Sequence, residues 1–404
     1  MAISSMKDID FAQSLSIFCF GTLLYLSSVV IYRLYFHPLA KYPGPLLARL
    51  TDLHQGYHAW KGDRHLEFWR CHERYGDIVR FGPNSLSFNT STTLKAIYGA
   101  KSNVRKGDAY TVFPIKKGAV STFTAIDKVE HGRKRRVLSH ALSDSAVKSM
   151  EKHILAHIRQ FCANLGGTER AYSDEVEAKW SSAKNISNEA DYLTFDVMGD
   201  LAFGKSFGML ESPDSRFALD LVAACARRNL ICGSYPFLHT YGLDKVLFSR
   251  LVAMRQKFVR FAGIQAAERA KRGMDVDRKD FFHYLLEAKD PESGQGFSQP
   301  ELWSESGTLI VAGSDTTSTV VAATIFYLLH NPQTREKVQQ EVRGTFEDVE
   351  EIGIGAKLFG LHYLRACIDE AMRLSPPAPG LMPRQVLHGG LEIVSAPPRS
   401  GSKA

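Results

Sequence analysis

The sequence predicts a mainly α-helical protein with small β-sheets behind one N-terminal transmembrane helix. Three observations carry this. Over several long stretches apolar residues recur at steps of three and four, the period of a helix with one buried face. Short, turn-flanked runs that suit strands are few. Near the start, one uncharged stretch is long enough to cross a bilayer.

That stretch, residues 11–32, holds no charged side chain. As a helix it would be about 33 Å long, against a hydrocarbon core of roughly 30 Å. A cleaved signal peptide would need a basic front and a small-residue cleavage site. Here the front carries Asp8 and Asp10, and Arg33 and Lys41 follow the stretch. An uncleaved anchor is therefore expected. Residues 1–10 would be lumenal and the main body cytosolic, by the positive-inside rule. A single-pass protein of the endoplasmic reticulum is the implied location. Residues 33–45 form a proline-rich hinge ending in Pro43-Gly44-Pro45, which would set a fixed angle between anchor and body.

Within the body, residues 77–81 and 85–88 read as a hairpin around Gly82-Pro83-Asn84. Residues 143–165 read as one helix, with Val147, Met150, Ile154, Ile158, Phe161 and Leu165 on its buried face and Ser143 or Asp144 as cap. Further helices are expected over 190–202, ending near Gly204, and over 280–288. Residues 301–330 form a long apolar helix closed by Asn331-Pro332, and Pro332 suits the first turn of a helix over 333–345. Residues 384–387 and 391–394 read as a second hairpin around His388-Gly389-Gly390.

Composition narrows the function. With 404 residues, 44% apolar and 23% charged, the chain is globular in character. Much of the net charge of +7 sits in Arg133-Lys134-Arg135-Arg136. With no aromatic interleaving or nucleic-acid motif beside it, this run reads as a solvated helix face, and no nucleic-acid partner is expected. The six cysteines, Cys19, Cys71, Cys162, Cys225, Cys232 and Cys367, are scattered without zinc spacing. Each reads as a small buried hydrophobe in a reducing compartment, and no metal-ligand set is expected.

Two segments carry chemistry. The long helix contains Ala312-Gly313-Ser314-Asp315-Thr316-Thr317. Ala-Gly leaves a flat face for a planar cofactor, and the hydroxyls can bond to the backbone and bend the helix locally. A close helix crossing explains the small residues equally well. Glu370 and Arg373, within a helix over 363–374, share one face at i, i+3. A rigid run follows through Pro376-Pro377, Pro379-Gly380 and Pro383-Arg384 into a strand.

In this order and spacing the segments resemble the cytochrome P-450 family from the anchor to about Val394, and Phe195-Asp196-Val197-Met198-Gly199-Asp200-Leu201-Ala202-Phe203-Gly204 resembles its fungal members. The resemblance implies the fold of that family. It implies a haem cofactor, an NADPH-cytochrome reductase partner, the membrane, and a hydrophobic small-molecule substrate, with secondary metabolism as the setting. Thr316 with Asp315 would deliver protons beside bound dioxygen. Ala312 and Gly313 would make room above the haem. His131 and Arg135, in the place of a Trp-x-x-x-Arg pattern, and Arg384 would meet the haem propionates. Glu370 and Arg373 would form a buried structural network. Lys134 and Arg136 would lie near the face meeting an acidic reductase. Pocket residues are expected in 110–120, in 221–237, and at Leu381-Met382.

The family's Phe-x-x-Gly-x-Arg-x-Cys-x-Gly loop, source of its thiolate ligand, does not occur in these 404 residues. Residues 46–394 therefore read as an incomplete haem monooxygenase domain, lacking the C-terminal cysteine-loop portion, and 395–404 as a divergent disordered tail. The sequence predicts poor haem binding and no hydroxylation by this chain as it stands. A non-catalytic membrane-anchored protein, either a pseudo-enzyme or a truncated gene product, is the alternative. Dinucleotide, zinc-protease, nucleophile-elbow and P-loop motifs are not found.

Overall fold

The computed structural model describes residues 11–114, 119–166, 182–274, 279–380 and 382–393. The expected lumenal residues 1–10, the tail 395–404, residues 115–118 of the first pocket stretch, Val394 and Leu381 lie outside these. The fold is mainly helical with two small sheets. The chain divides into two compact units, one of residues 1–104, 230–238 and 384–404, the other of residues 105–229 and 239–383.

The first unit begins with α1 (Phe11–Ile31), which continues as a short π-helix, Tyr32–Phe36. The following segment is held by backbone contacts. Arg80 N–H donates to Pro43 O at 2.7 Å, and a Cβ on Gly44 would overlap the Arg80 carbonyl oxygen. Gly44 is therefore glycine because a strand backbone passes against it, and not because the hinge must turn. Arg33 donates to Leu50 O, and its own carbonyl accepts from the buried Arg80 guanidinium at 2.8 Å. Arg33 thus faces protein and not only a membrane flank.

Next come α2 (Leu53–Lys61) and α3 (Arg64–Tyr75). The expected hairpin forms as β1 (Ile78–Gly82) antiparallel to β2 (Ser85–Phe88), pairing Ile78 with Phe88. The second expected hairpin does not form. Residues 391–393 are coil and β3 (Arg384–Val386) is followed by a Leu387 N–H that donates to Asn103 O at 3.1 Å. The Asn103 side chain then binds the carbonyls of His388 and Gly390, each at 2.9 Å. A partner distant in sequence replaced the local one because Asn103 satisfies three backbone groups of the turn at once.

The second unit is a helical core. Its elements include α4 (Lys128–Ala141), α5 (Asp144–Ser149), α6 (Glu151–Asn164) and α7 (Ile186–Phe203). They continue with α8 (Ser249–Lys271), α9 (Phe281–Glu287), α10 (Gln299–His330), α11 (Pro332–Thr345) and α12 (His362–Leu374). The single helix expected over 143–165 is two, broken at Met150. Ser143 caps the first, accepting from Ala146 N–H at 3.4 Å. Met150 and Phe161 are buried as expected, while Ile158 is exposed. The other helices form within a few residues of their expected bounds. Gly204, at φ 67°, ends α7, Asp280 caps α9, and Pro332 opens α11.

The core is built where α10 runs along α7, with α8, α9 and α12 packed beside it. Phe195, Phe203, Met209, Phe258, Phe282, Leu285 and Ile310 form one buried cluster. Aromatic and branched side chains dominate it, so hydrophobic burial sets the axis on which the candidate site sits.

Candidate active site

α10 presents different faces to different surroundings over Ala312-Gly313-Ser314-Asp315-Thr316-Thr317. Gly313 faces α7. A Cβ there would come within 2.7 Å of Met198 Cε and 2.8 Å of its Cγ. Ser314 is buried and its hydroxyl reaches toward Thr194 O of the same helix at 3.4 Å. The helix crossing thus accounts for Gly313 and Ser314. Ala312, by contrast, is exposed, and the Thr316 hydroxyl on the same stripe donates to Ala312 O at 2.7 Å. Such back-bonding of a threonine to the i−4 carbonyl satisfies the hydroxyl inside the helix. α10 remains an unbroken α-helix through this turn.

Asp315 lies next to this stripe. Partial desolvation, with the like charge of Asp191 behind it, raises its carboxyl above the ordinary range. The residue as a whole stays exposed, which limits the effect.

Nearly three turns before Asp315 on α10 is a residue that the sequence reading missed. Glu305 is buried, and its carboxylate accepts from Thr122 N–H at 2.5 Å and from the Thr122 hydroxyl at 2.7 Å. Burial raises its pKa. Ser304 beside it donates to Ala119 O at 3.2 Å. These bonds pin the loop around 119–125 to α10. The loop's Phe123 packs on Tyr110 and Phe113, with ring centroids 5.4 and 5.3 Å apart. Tyr110, Phe113 and Phe123 thus form an aromatic cluster in this unit. The available signal was a carboxylate set among apolar and small residues in the first half of a long apolar helix.

α4 departs from expectation. Its basic run is not a solvated face. Lys134 is fully buried and bonded to Glu301, and Arg133 reaches the same carboxylate at 2.5 Å. Arg136 binds Asp290 at 2.6 Å and Glu292 at 2.8 Å. Three of the four cations therefore tie α4 to the start of α10 and the loop before it, so Lys134 and Arg136 do not form a free docking face. Arg135 alone of the four is exposed, and His131, one turn back on α4, is half-buried. Burial raises the Glu301 carboxyl, but the bonds from Lys134 and Ser298 outweigh this and hold it down to about 2.

Glu370 and Arg373 pair as expected, bidentate at 2.7 and 2.6 Å. Among the described residues they are 53% and 67% exposed. Their helix is fixed at its start by Glu341, which accepts from Tyr363 and Leu364 N–H, each at 2.8 Å. Arg384, in the first unit, lies over the Tyr98 ring at 4.9 Å.

The cysteines vary more than expected: Cys71, Cys225 and Cys232 are buried, Cys367 half-buried, and Cys19 and Cys162 exposed. Burial pushes Cys71 up to about 12, with Glu67 adding to it, and Cys225 up to about 11. It also raises Cys162 and, with Glu341, Cys367.

The architecture is a mainly helical one built along a long central helix that carries a small-residue and threonine turn. The chain belongs to the cytochrome P-450 family, whose profile matches residues 38–393. It is 39% identical over 370 residues to the cytochrome P-450 monooxygenase poxM of Penicillium oxalicum, covering 92% of this chain and 71% of that one. It is 42% identical over 362 residues to the monooxygenase atnE of Emericella nidulans, covering 89% and 70%. A third relative, AKT7 of Alternaria alternata, is 38% identical over 369 residues, covering 91% and 69%.

Family membership implies haem as cofactor. The Ala312–Thr316 stripe fits its oxygen side, because a small side chain and an internally bonded hydroxyl lie on an open face.

Proposed function

We propose that the protein's activity is haem-dependent insertion of one oxygen atom from O₂ into a hydrophobic small molecule, within fungal secondary metabolism. The observation that carries this reading is the Ala312–Thr316 stripe, with its hydroxyl held at 2.7 Å on an open helix face. Bound haem supplies the activation of oxygen. Thr316, released from Ala312 O, holds a water or passes a proton at its Oγ1. Asp315, with its raised carboxyl, resupplies that proton from solvent. Ala312 leaves the face clear. Arg135 pairs with a propionate and His131 supports it, while Glu370 and Arg373 play a structural part. Tyr110, Phe113 and Phe123 offer an apolar wall suited to a hydrophobic substrate. An NADPH-dependent reductase supplies electrons, and α1 anchors the protein in the endoplasmic reticulum membrane with the body in the cytosol.

A second reading is a non-catalytic membrane-anchored protein. The reduced carbon-monoxide difference spectrum of the purified chain separates the two. A thiolate-type band lost on denaturation supports the first reading. Absence of bound haem under loading conditions favours the second.

A further inference from the structure

We propose that His54, His58 and Glu67 form a binding site for one divalent metal ion of the zinc class. His54 and His58 stand one turn apart on α2 and so share a face. α3 brings Glu67 to that face. His54 Nε2 lies 3.5 Å from Glu67 Oε1, and His58 Nε2 lies 3.9 Å from Oε2. One donor atom from each of the three falls within 4.8 Å of the others. Tetrahedral zinc, with bonds of about 2.1 Å, needs donors about 3.4 Å apart. Small side-chain rotations close that gap.

The surroundings are built for a ligand set. His58 Nδ1 lies 2.7 Å from Asp63 Oδ1. That contact assigns the proton to Nδ1 and leaves the Nε2 lone pair facing Glu67, the carboxylate–histidine arrangement that orients metal ligands. Asp63 is held in turn by Lys61 at 2.7 Å. The three side chains are only 14–21% exposed. The cleft they line with Pro45, Phe68 and Phe81 holds about 10 Å³, room for one water or ion. Two cations are near. Arg64 lines the same cleft, where it bonds to Gln55 at 3.2 Å and lies over the Phe68 ring. Arg70, 3.9 Å from Glu67, is 54% exposed and can swing into solvent. Two imidazoles and one carboxylate select zinc over magnesium or calcium, and the ion would clamp α2 to α3. The proposal is independent of the oxygen chemistry above.

Zinc binding by the detergent-solubilised full chain, followed by competition with a chelating dye, tests this. One tightly held zinc per chain is expected, with a rise in thermal midpoint. His54→Gln and Glu67→Gln should abolish both effects. Asp63→Asn should weaken binding about 10–100-fold. His37→Gln, at a histidine that bonds to Asn84 instead, should change nothing. Unfolding curves recorded without metal show whether each variant folds. If the ligand variants do not, cobalt bound to the unaltered chain decides: tetrahedral visible bands support the site, and their absence overturns it. A chain that takes up no zinc, or folded His54→Gln and Glu67→Gln variants that bind it as tightly, would also overturn it.

Discussion

Gly44 and Gly313 are glycines for a shared reason, since each lies where another element passes too close for a Cβ. What passes differs. At Gly44 it is the Arg80 backbone, which cannot move alone. At Gly313 it is the end of the Met198 side chain, which can. Overpacking costs about 1–3 kcal/mol. Gly44→Ala should fall at or above the top of that range and Gly313→Ala near the bottom, by denaturant unfolding. Met198→Ala should recover much of the Gly313→Ala loss in a double-mutant cycle, because the two share one contact. Equal costs for the two glycine variants would show that the backbone distinction is wrong.

At the scale of elements, the joint between α4 and α10 is electrostatic. Buried Lys134 is compensated chiefly by Glu301, with Glu130 3.6 Å away and 41% exposed. Removing one partner of a buried pair leaves the other uncompensated, at about 3–5 kcal/mol. Glu301→Gln should therefore cost about 3 kcal/mol at neutral pH. The sign of the pH dependence follows from the carboxyl's depressed pKa. Its contribution is complete above the ordinary 4.5 and is lost as pH falls toward about 2. Stability of the native chain should drop across that window, and the Glu301→Gln variant should lack this part of the slope. Thermal unfolding of both from pH 7 to pH 2.5 measures it. Parallel curves would mean that Glu301 titrates elsewhere.

Across the whole molecule, α1 stands apart from the core. Ile17, Phe18, Phe20, Leu23 and Leu24 are each more than 60% exposed, an apolar surface too large for a soluble helix. α1 with its π-helical extension is long and apolar enough to span a bilayer. α10 passes the same test, yet it packs along α7 in the second unit. A chain beginning at residue 38 should therefore leave the membrane fraction on carbonate extraction, and the full chain should stay. Both sequons, at Asn89 and Asn185, sit on exposed residues, so they are open to glycosylation if the body is lumenal. Unmodified asparagines would agree with a cytosolic body, and glycans on either would reverse the proposed topology.

The sequence by itself determined the fold class, the long apolar N-terminal helix, the first hairpin, the long central helix and the family. All of these rest on local periodicity, turn chemistry or motif order, which neighbouring residues carry. It also placed Glu370 beside Arg373 and Thr316 on a distinctive turn, since helical spacing alone sets those relations. Only the tertiary structure decided which face of that turn meets α7 and which stays open, because Gly313 and Ala312 differ by one residue but point about 100° apart around the helix. It alone showed that the basic run of α4 is spent on Glu301, Asp290 and Glu292, and that Glu305 holds the 119–125 loop. It alone brought Glu67 to His54 and His58. In each case the partner lies on another element, and charges distant in sequence find one another only when burial makes leaving them unpaired too costly.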